Sequence, residues 1–173
     1  MTRIPDDKIK LRIAWWNINK RLYLHNTTNK NLFSCVLDSD YDFVFFSETN
    51  LDYVSLPKIE NYVLFSDPNV SKCSYGGTCW YIKKKLAKHV FGVEYHASFI
   101  SFRLDLVPKN VFIGSYIQPE GARYFNPIMF SDLASFIQDA RSNGLTPYVG
   151  GDFNSRPGNF NIHHGTNTQD IDM

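Results

Sequence analysis

The sequence lacks the features that mark secreted, disulfide-bonded or membrane proteins. Of its 173 residues only three are cysteines, Cys35, Cys73 and Cys79. An odd number without metal-type spacing predicts buried, reduced thiols and a reducing compartment. The opening residues, MTRIPDDKIK, are too polar for a secretion signal, and no apolar run is long enough to span a bilayer. We therefore expect an intracellular protein without a membrane segment, with nucleus and cytoplasm both left open.

The chain also has no large excess of charge of either sign. Its 18 Lys and Arg and 17 Asp and Glu give a net charge of +1, so a nucleic-acid partner would have to bind a local patch. The only dense basic run consists of Lys83, Lys84, Lys85 and Lys88. Contact with DNA phosphates is one interpretation of this run, and a solvated hairpin end is the favoured one.

Short strand-like segments make up most of the chain. Its length and its 43% hydrophobic content suit a single domain with a substantial core. Continuous or alternating apolar patterns predict strands at residues 10–18, 42–47, 61–66, 77–83, 97–106, 110–117 and 147–153. In residues 97–106 the alternation predicts one buried face and one solvent face. The buried face would carry Ile100, Phe102, Leu104 and Leu106, and the solvent face Ser101, Arg103 and Asp105.

Two segments have helical periodicity. Residues 29–38 predict a short helix, and residues 127–142 predict a longer one that Asn126 caps and Gly144 ends. The middle block of strands is hairpin-like, which argues against a simple parallel doubly wound sheet. The element order predicts an α/β fold of two packed mixed β-sheets flanked by helices, a four-layer α/β sandwich.

Polar residues directly follow three of the apolar strands. The stretch WWNIN supplies Asn17 and Asn19, FFSETN supplies Glu48, and GGDFN supplies Asp152 and Asn154. Open α/β sheets bind ligands at such strand ends, because the loops diverge there. Carboxylates with amide neighbours form an oxygen site that suits Mg²⁺, whereas zinc would require a His and Cys cluster that the sequence lacks.

Four stretches, in this order, resemble the motifs of the endonuclease/exonuclease/phosphatase superfamily of Mg²⁺-dependent phosphodiesterases: WWNIN, FFSETN, SYIQPEG and GGDFNSRPG. The stretches SETNL and SYGGTCWYIKKKL resemble one branch, the apurinic-type endonuclease domains of non-LTR retrotransposons. The resemblance extends from Leu11 to about Met173. It implies Mg²⁺ or Mn²⁺ as cofactor, DNA as substrate and, in a full-length relative, a reverse transcriptase domain as partner.

The resemblance also implies a role for each matching residue. Glu48 and Asn17 would form the metal site, and Tyr116 would lie near the scissile phosphate. Asp152 would orient or activate the attacking water, and Asn154 would contact the phosphate in the transition state.

Three basic residues close to these motifs are candidates for contact with nucleic-acid phosphates. They are Lys20, Arg21 and Arg156.

Two departures from the family pattern qualify these expectations. Gln118 precedes Pro119 in the third motif, where the family has proline two residues after the tyrosine. The family pattern also continues to a Ser-Asp-His motif with an essential histidine, and this sequence contains none. We therefore expect a C-terminally incomplete domain, truncated after GDFN. None of the five histidines is a convincing substitute: His25, His89, His96, His163 and His164.

Three alternatives to a retroelement-type endonuclease thus stay open. A phosphatase or a lipid phosphodiesterase of the same superfamily would share the GDFN core, and a non-catalytic remnant would explain the missing histidine motif.

Overall fold

The structure, a computed structural model, describes residues 9–19, 39–51, 55–67, 76–123 and 125–154. A first sheet contains four strands: β1 (Ile13–Asn17), β2 (Phe43–Ser47), β3 (Tyr62–Phe65) and β4 (Thr78–Lys83). Their order across the sheet is β1-β2-β4-β3. The β1 and β2 strands are parallel, and β4 is antiparallel to both β2 and β3. The first sheet is therefore mixed.

A second mixed sheet follows a one-turn helix, α1 (Lys84–Ala87). Its strands are β5 (Val90–Tyr95), β6 (Phe99–Leu104), β7 (Asn110–Tyr116) and β8 (Thr146–Asp152), in the order β5-β6-β7-β8. The first three are antiparallel neighbours, and β8 is parallel to β7. The crossover between β7 and β8 contains the longer helix, α2 (Ile128–Ser142).

The two sheets pack face to face through an aromatic core. Alternate residues of β2 and β4 point toward the second sheet, where they meet alternate residues of β6 and β7. Ring centroids of Phe43 lie 5.4 Å from Phe102 and 5.2 Å from Phe112, both edge to face. Edge-to-face contacts add to the area that these rings bury. This layer contains Phe43, Phe45, Trp80, Ile82, Ile100, Phe102, Leu104 and Phe112.

The other set of alternate residues forms the two outer layers. On the first sheet, Val44, Phe46, Cys79 and Tyr81 join a cluster that Leu56 helps to cover. On the second sheet, residues of β6 and β7 pack against α2, which contributes buried Leu133 and Ala140. Because both faces of β2 and β4 are covered, these strands are apolar on both faces apart from the polar residues at their ends.

The sequence-based strands are confirmed, with ends that differ by a few residues. The structure adds α1 and β5, which the sequence analysis missed. The expectation of an open face on β6 is wrong: Phe99 and Ser101, opposite its core face, are both 1% exposed, because α2 packs over this side of the sheet. Leu106, expected in the core, lies beyond the strand and is 39% exposed. The expected helix at residues 29–38 lies outside the described residues.

Two sequence-based expectations concern the cysteines and membrane-spanning segments. Cys79 is a free, buried cysteine, and burial raises the pKa of its thiol; Cys35 and Cys73 lie outside the described residues. In the ranges that the structure describes, no helix is both long and apolar enough to cross a membrane.

A substitution at Gly114 of β7 would test how closely the two sheets pack at this position. A Cβ at this position would overlap the ring of Phe45. We expect Gly114→Ala to lower the free energy of unfolding by about 1–3 kcal/mol, as overpacking of a close-packed core does. Urea unfolding measures this change.

Phe45→Leu supplies the control for this prediction, because it removes part of the obstructing ring. The two substitutions should be coupled, so that the double variant loses less stability than the two single losses added together. An unfolding free energy of Gly114→Ala equal to that of the original protein would contradict the predicted packing.

Candidate active site

The polar residues at the strand ends meet at one edge of the sandwich. The β1 and β2 strands run in parallel, as do β7 and β8, so the carboxyl ends of each pair lie at one edge. Asn17, Tyr116 and Asp152 are the last residues of β1, β7 and β8, and Glu48 directly follows β2. Residues distant in the sequence are thereby brought into hydrogen-bonding contact.

Gly150 in GGDFN allows β8 to approach the first sheet closely, and Gly151 allows it to lie against β7 of its own sheet. A Cβ on Gly150 would overlap the indole ring of Trp15, and a Cβ on Gly151 would overlap the backbone oxygen of Ser115. Trp15 donates its indole N–H to the carbonyl oxygen of Ile113 at 3.3 Å, which further ties β1 to the second sheet. Asn17 and Asp152 each lie two residues beyond the Trp15–Gly150 contact, so that contact sets their separation.

The side-chain amide of Asn17 connects the two carboxylates. Its Nδ2 donates to Oε1 of Glu48 at 3.1 Å and to Oδ2 of Asp152 at 2.5 Å. The two carboxylate oxygens can therefore be no farther apart than the sum of these distances. Oδ1 of Asn17 accepts a hydrogen bond from the backbone N–H of Asn19 at 2.8 Å, which fixes the orientation of the amide.

Tyr116 donates its hydroxyl to Oε1 of Glu48 at 3.0 Å. Burial raises the pKa of the Tyr116 phenol, and the hydrogen bond to Glu48 and the nearby charges of Glu48 and Asp152 raise it further. The hydroxyl is therefore a neutral hydrogen-bond donor at physiological pH.

Asn154 is held beside Asp152 by two hydrogen bonds. Its backbone N–H donates to Oδ1 of Asp152 at 2.9 Å, and its Nδ2 donates to the carbonyl oxygen of Ile117 at 2.9 Å. The first bond closes a short turn that aspartate commonly forms with the residue two positions later. The Asp152 carboxylate is thus fixed through one oxygen by this turn and through the other by Asn17.

Four residues at this edge have left-handed backbone conformations: Asn19 (φ 43°), Glu48 (φ 54°), Asn50 (φ 50°) and Asn154 (φ 44°). Asparagine tolerates this region, whereas glutamate enters it at a cost of about 1 kcal/mol. Strained backbone of this kind concentrates at functional sites, where the surrounding structure holds it in place. The conformation of Glu48 therefore makes it a candidate functional residue independently of its sequence motif.

The donor chemistry of the site fits one hard divalent cation. Both described hydrogen bonds to the Glu48 carboxylate end on Oε1, so Oε2 has no partner among the residues that the structure describes. Glu48 and Asp152 supply the carboxylate oxygens, a ligand set that Mg²⁺ completes with water and phosphate oxygens. Within the described ranges no three His, Cys, Asp or Glu side chains cluster as a metal cage would require. Among the described residues, the carboxylates of Glu48 and Asp152 would hold such a cation.

All five residues that the sequence assigned to catalysis and metal binding belong to this one network: Asn17, Glu48, Tyr116, Asp152 and Asn154. Lys20, Arg21 and Arg156 lie outside the described residues, so their contact with nucleic acid stays a prediction.

The basic run lies at the opposite end of the first sheet. In the β2–β4 pair, Ile82 is opposite Phe43 and Thr78 is opposite Ser47, so Lys83 lies at the end far from Glu48. Lys83 forms ion pairs with Asp40 and Asp42. Its hydrogen bond and its charge lower the pKa of Asp40. Burial lowers the pKa of Lys83, but the hydrogen bonds and charges of the two aspartates outweigh it and raise that pKa. The run is therefore not part of this site.

The two described histidines have partners elsewhere. Nδ1 of His89 lies 2.8 Å from Asp105, and Nε2 of His96 lies 3.4 Å from Glu94. The ring of His96 stacks on Phe99, on the side of the second sheet that α2 covers. Neither forms a hydrogen bond with the five site residues.

Sequence reasoning missed the residues that contact the backbone of Glu48 and of the two residues after it. Asn50 donates its Nδ2 to the carbonyl oxygen of Glu48 at 2.9 Å, and Gly76 and Gly77 form backbone hydrogen bonds with Asn50 and Thr49. The stretch SETN and the paired glycines of SYGGT were visible signals, but only the fold shows that they lie side by side.

Two packed mixed sheets, with carboxylates and amides gathered at one edge, define an α/β sandwich with a polar site at the carboxyl ends of its parallel strands. The chain belongs to the Endonuclease/Exonuclease/phosphatase family, whose profile matches residues 14–172. No curated protein matches the sequence.

Several solved structures share the fold at low sequence identity. An AP endonuclease from Archaeoglobus fulgidus is 12% identical with a TM-score of 0.55, over 89% of this chain and 61% of that one. TDP2 from C. elegans is 13% identical with a TM-score of 0.52, over 84% of this chain and 48% of that one. The human Nocturnin catalytic domain is 15% identical with a TM-score of 0.51, over 86% and 66%. The chain thus spans about half to two thirds of the length of these structures.

The left-handed conformation of Glu48 gives a prediction about stability. We expect Glu48→Gly to unfold at the same or a higher urea concentration, gaining up to about 1 kcal/mol, because glycine relieves the backbone strain. It also removes a carboxylate that lies close to Asp152. Urea unfolding in the absence of divalent cations measures this effect.

Thr49→Gly is the matched control, because Thr49 is the adjacent residue, is 1% exposed and has no left-handed conformation. It should lose stability through its lost packing and the added chain entropy. Equal losses in the two variants would contradict a strained Glu48.

Proposed function

We propose that the protein is a Mg²⁺- or Mn²⁺-dependent phosphodiesterase that hydrolyses DNA, an endonuclease of the retroelement type. The observation that carries this proposal is the single hydrogen-bonded network of Asn17, Glu48, Tyr116 and Asp152. It combines two carboxylates with neutral donors, which suits a cation and a phosphoester together.

Each side chain has a role that its contacts allow. Glu48 is the principal cation ligand, and Asn17 holds it beside Asp152 through the shared amide. Asp152 is the second carboxylate of the network, and it can orient a water molecule and accept its proton. A bound divalent cation would offset the negative charge that develops on the phosphoryl oxygens.

Tyr116 and Asn154 are placed to donate hydrogen bonds to the substrate. Tyr116 keeps its proton because of its burial and its contact with Glu48. The Asn154 amide uses one N–H on the carbonyl oxygen of Ile117, which leaves its second N–H available for a phosphate oxygen. Donors fixed before the substrate arrives stabilise developing charge without reorganisation.

DNA as the substrate is supported by sequence motifs and by one structural neighbour. SETNL and SYGGTCWYIKKKL resemble the endonuclease domains of non-LTR retrotransposons, and a solved structure with the same fold is an AP endonuclease. In a retroelement, a longer relative would carry a reverse transcriptase as its partner domain.

A non-catalytic member of the family is the second candidate. It is favoured by one observation, that neither described histidine forms a hydrogen bond or ion pair with the five site residues. This candidate retains the cation site and lacks turnover, so binding and catalysis have to be measured separately.

Nicking of supercoiled plasmid tests catalysis. We expect nicking with Mg²⁺ or Mn²⁺ and none with a chelator. Asp152→Asn should lower the rate by about 100-fold or more, the usual contribution of a general base. Asp132→Asn, an exposed aspartate on α2, is the control and should leave the rate unchanged.

The substrate class is decided in the same assay series. Faster hydrolysis of a phosphoinositide or sphingomyelin than of plasmid would favour the phosphatase or lipid phosphodiesterase alternatives. Turnover of none of these substrates, or plasmid nicking that is equal in Asp152→Asn, would reject the proposed activity.

Cation binding is tested by thermal unfolding. At ten times its dissociation constant, a cation that binds only the folded state adds about 1.4 kcal/mol of stability. We expect Mg²⁺ and Mn²⁺ to raise the Tm of the protein and to have little effect on the Tm of Glu48→Gln. The non-catalytic candidate predicts the same Tm shift without nicking, whereas a Tm unaffected by either cation would reject the metal site.

A further inference from the structure

The segment after β2 is attached to the loop before β4 by two backbone hydrogen bonds. The N–H of Thr49 donates to the carbonyl oxygen of Gly77 at 3.2 Å, and the N–H of Asn50 donates to that of Gly76 at 2.7 Å. These bonds extend the antiparallel β2–β4 pair beyond its last residues, Ser47 and Thr78. Glu48, at the base of this extension, is therefore held by its neighbours on both sides.

Only glycine fits the Gly77 position. Gly76 and Gly77 have φ values of 93° and 84°. A Cβ on Gly77 would lie 2.5 Å from Oγ1 of Thr49 and 3.2 Å from the backbone nitrogen of Asn50. Gly76 faces the ring of Tyr116. A Cβ added at Gly76 would be in van der Waals contact with this ring, 3.5 Å from Cε1 of Tyr116. The diglycine thus contacts both the Glu48 segment and the residue that donates to Glu48.

The side chain of Asn50 completes this arrangement. Its Nδ2 donates to the carbonyl oxygen of Glu48 at 2.9 Å. Its Oδ1 is buried and has no hydrogen-bond partner within the described part of the chain. The left-handed φ of Asn50 accounts for a residue such as asparagine or glycine at this position. Glycine would avoid the unsatisfied buried acceptor, and what the asparagine side chain adds is the hydrogen bond to Glu48.

We propose that Asn50 is a positioning residue that, together with Gly76 and Gly77, holds Glu48 in its left-handed conformation with the carboxylate directed toward Asn17 and Tyr116. Asn50 touches neither cation nor substrate and acts only through Glu48. The part of this inference that concerns cation affinity rests on the proposed function, whereas the part that concerns the Glu48–Tyr116 contact does not.

Asn50→Gly isolates the contribution of the side chain. Asn50 has a φ of 50°, where alanine would be strained and glycine is not. We expect Asn50→Gly to weaken Mn²⁺ binding by about 10-fold, the usual effect of one lost hydrogen bond. In the nicking assay kcat should fall by a similar factor, with little change in KM.

The second measurement needs no cation. Tyrosine labelled with ¹³C at Cζ reports the hydrogen bond of its hydroxyl, and Tyr116→Phe identifies the Tyr116 signal. In cation-free protein, we expect Asn50→Gly to shift this signal in the direction in which Glu48→Gly shifts it. In the Glu48→Gly background, Asn50→Gly should cause no further shift.

Asn143→Ala is the matched control. Asn143 forms the same kind of bond, from its Nδ2 to the carbonyl oxygen of Asp139 at 2.8 Å, at the end of α2 and away from the site. Its φ of −88° accommodates alanine. This variant should change neither the Tyr116 signal nor the affinity for Mn²⁺.

The outcomes separate the two proposals. If the original protein binds no Mn²⁺, the proposed metal site fails, and the Tyr116 signal still decides the role of Asn50. If Mn²⁺ binds but Asn50→Gly leaves both the affinity and the Tyr116 signal unchanged, the positioning role is overturned. An equally large Tyr116 shift in Asn143→Ala would also overturn it, because the effect would then be a general loss of structure.

Discussion

The close approach of β1 and β8 is the constraint on which the site depends. Gly150 leaves room for the Trp15 ring, and this contact joins the edge strands of two different sheets. Two residues further along each strand, the Asn17 amide reaches both carboxylates. Any larger residue at position 150 would separate the sheets at the point where Asp152 must meet Glu48. The packing of an apolar core thus determines the geometry of a polar site.

The site contains two neighbouring carboxylates and a strained backbone, which lower stability, and surrounding residues that restrain them. Two carboxylates share one amide donor, and Glu48 occupies a backbone region that suits glycine better. The hydrogen bonds from Tyr116, Asn17 and Asn50 are distributed around Glu48 so that its side chain and its backbone are both restrained. Such restraint would lower the entropic cost of binding any ligand at this edge.

Much of this arrangement could be predicted from the sequence. Continuous apolar runs predicted central strands such as β2, and polar residues after such runs predicted where the site would lie. The strand β5 was missed because Phe91, Glu94 and Tyr95 of this edge strand are exposed, so no buried face appears in its pattern. The second buried face of β6 was missed because helix α2, which covers it, is supplied by a distant segment. Asn50 was missed because a backbone contact leaves no distinctive spacing.

The conformation of Glu48 also bears on how this protein changes during evolution. A residue that folding disfavours is retained only while selection acts on something other than stability. If a lineage no longer needed the chemistry of this edge, drift would replace Glu48 early, and the sandwich would persist without it. We therefore expect a glutamate to persist at this position only in relatives in which selection maintains the site.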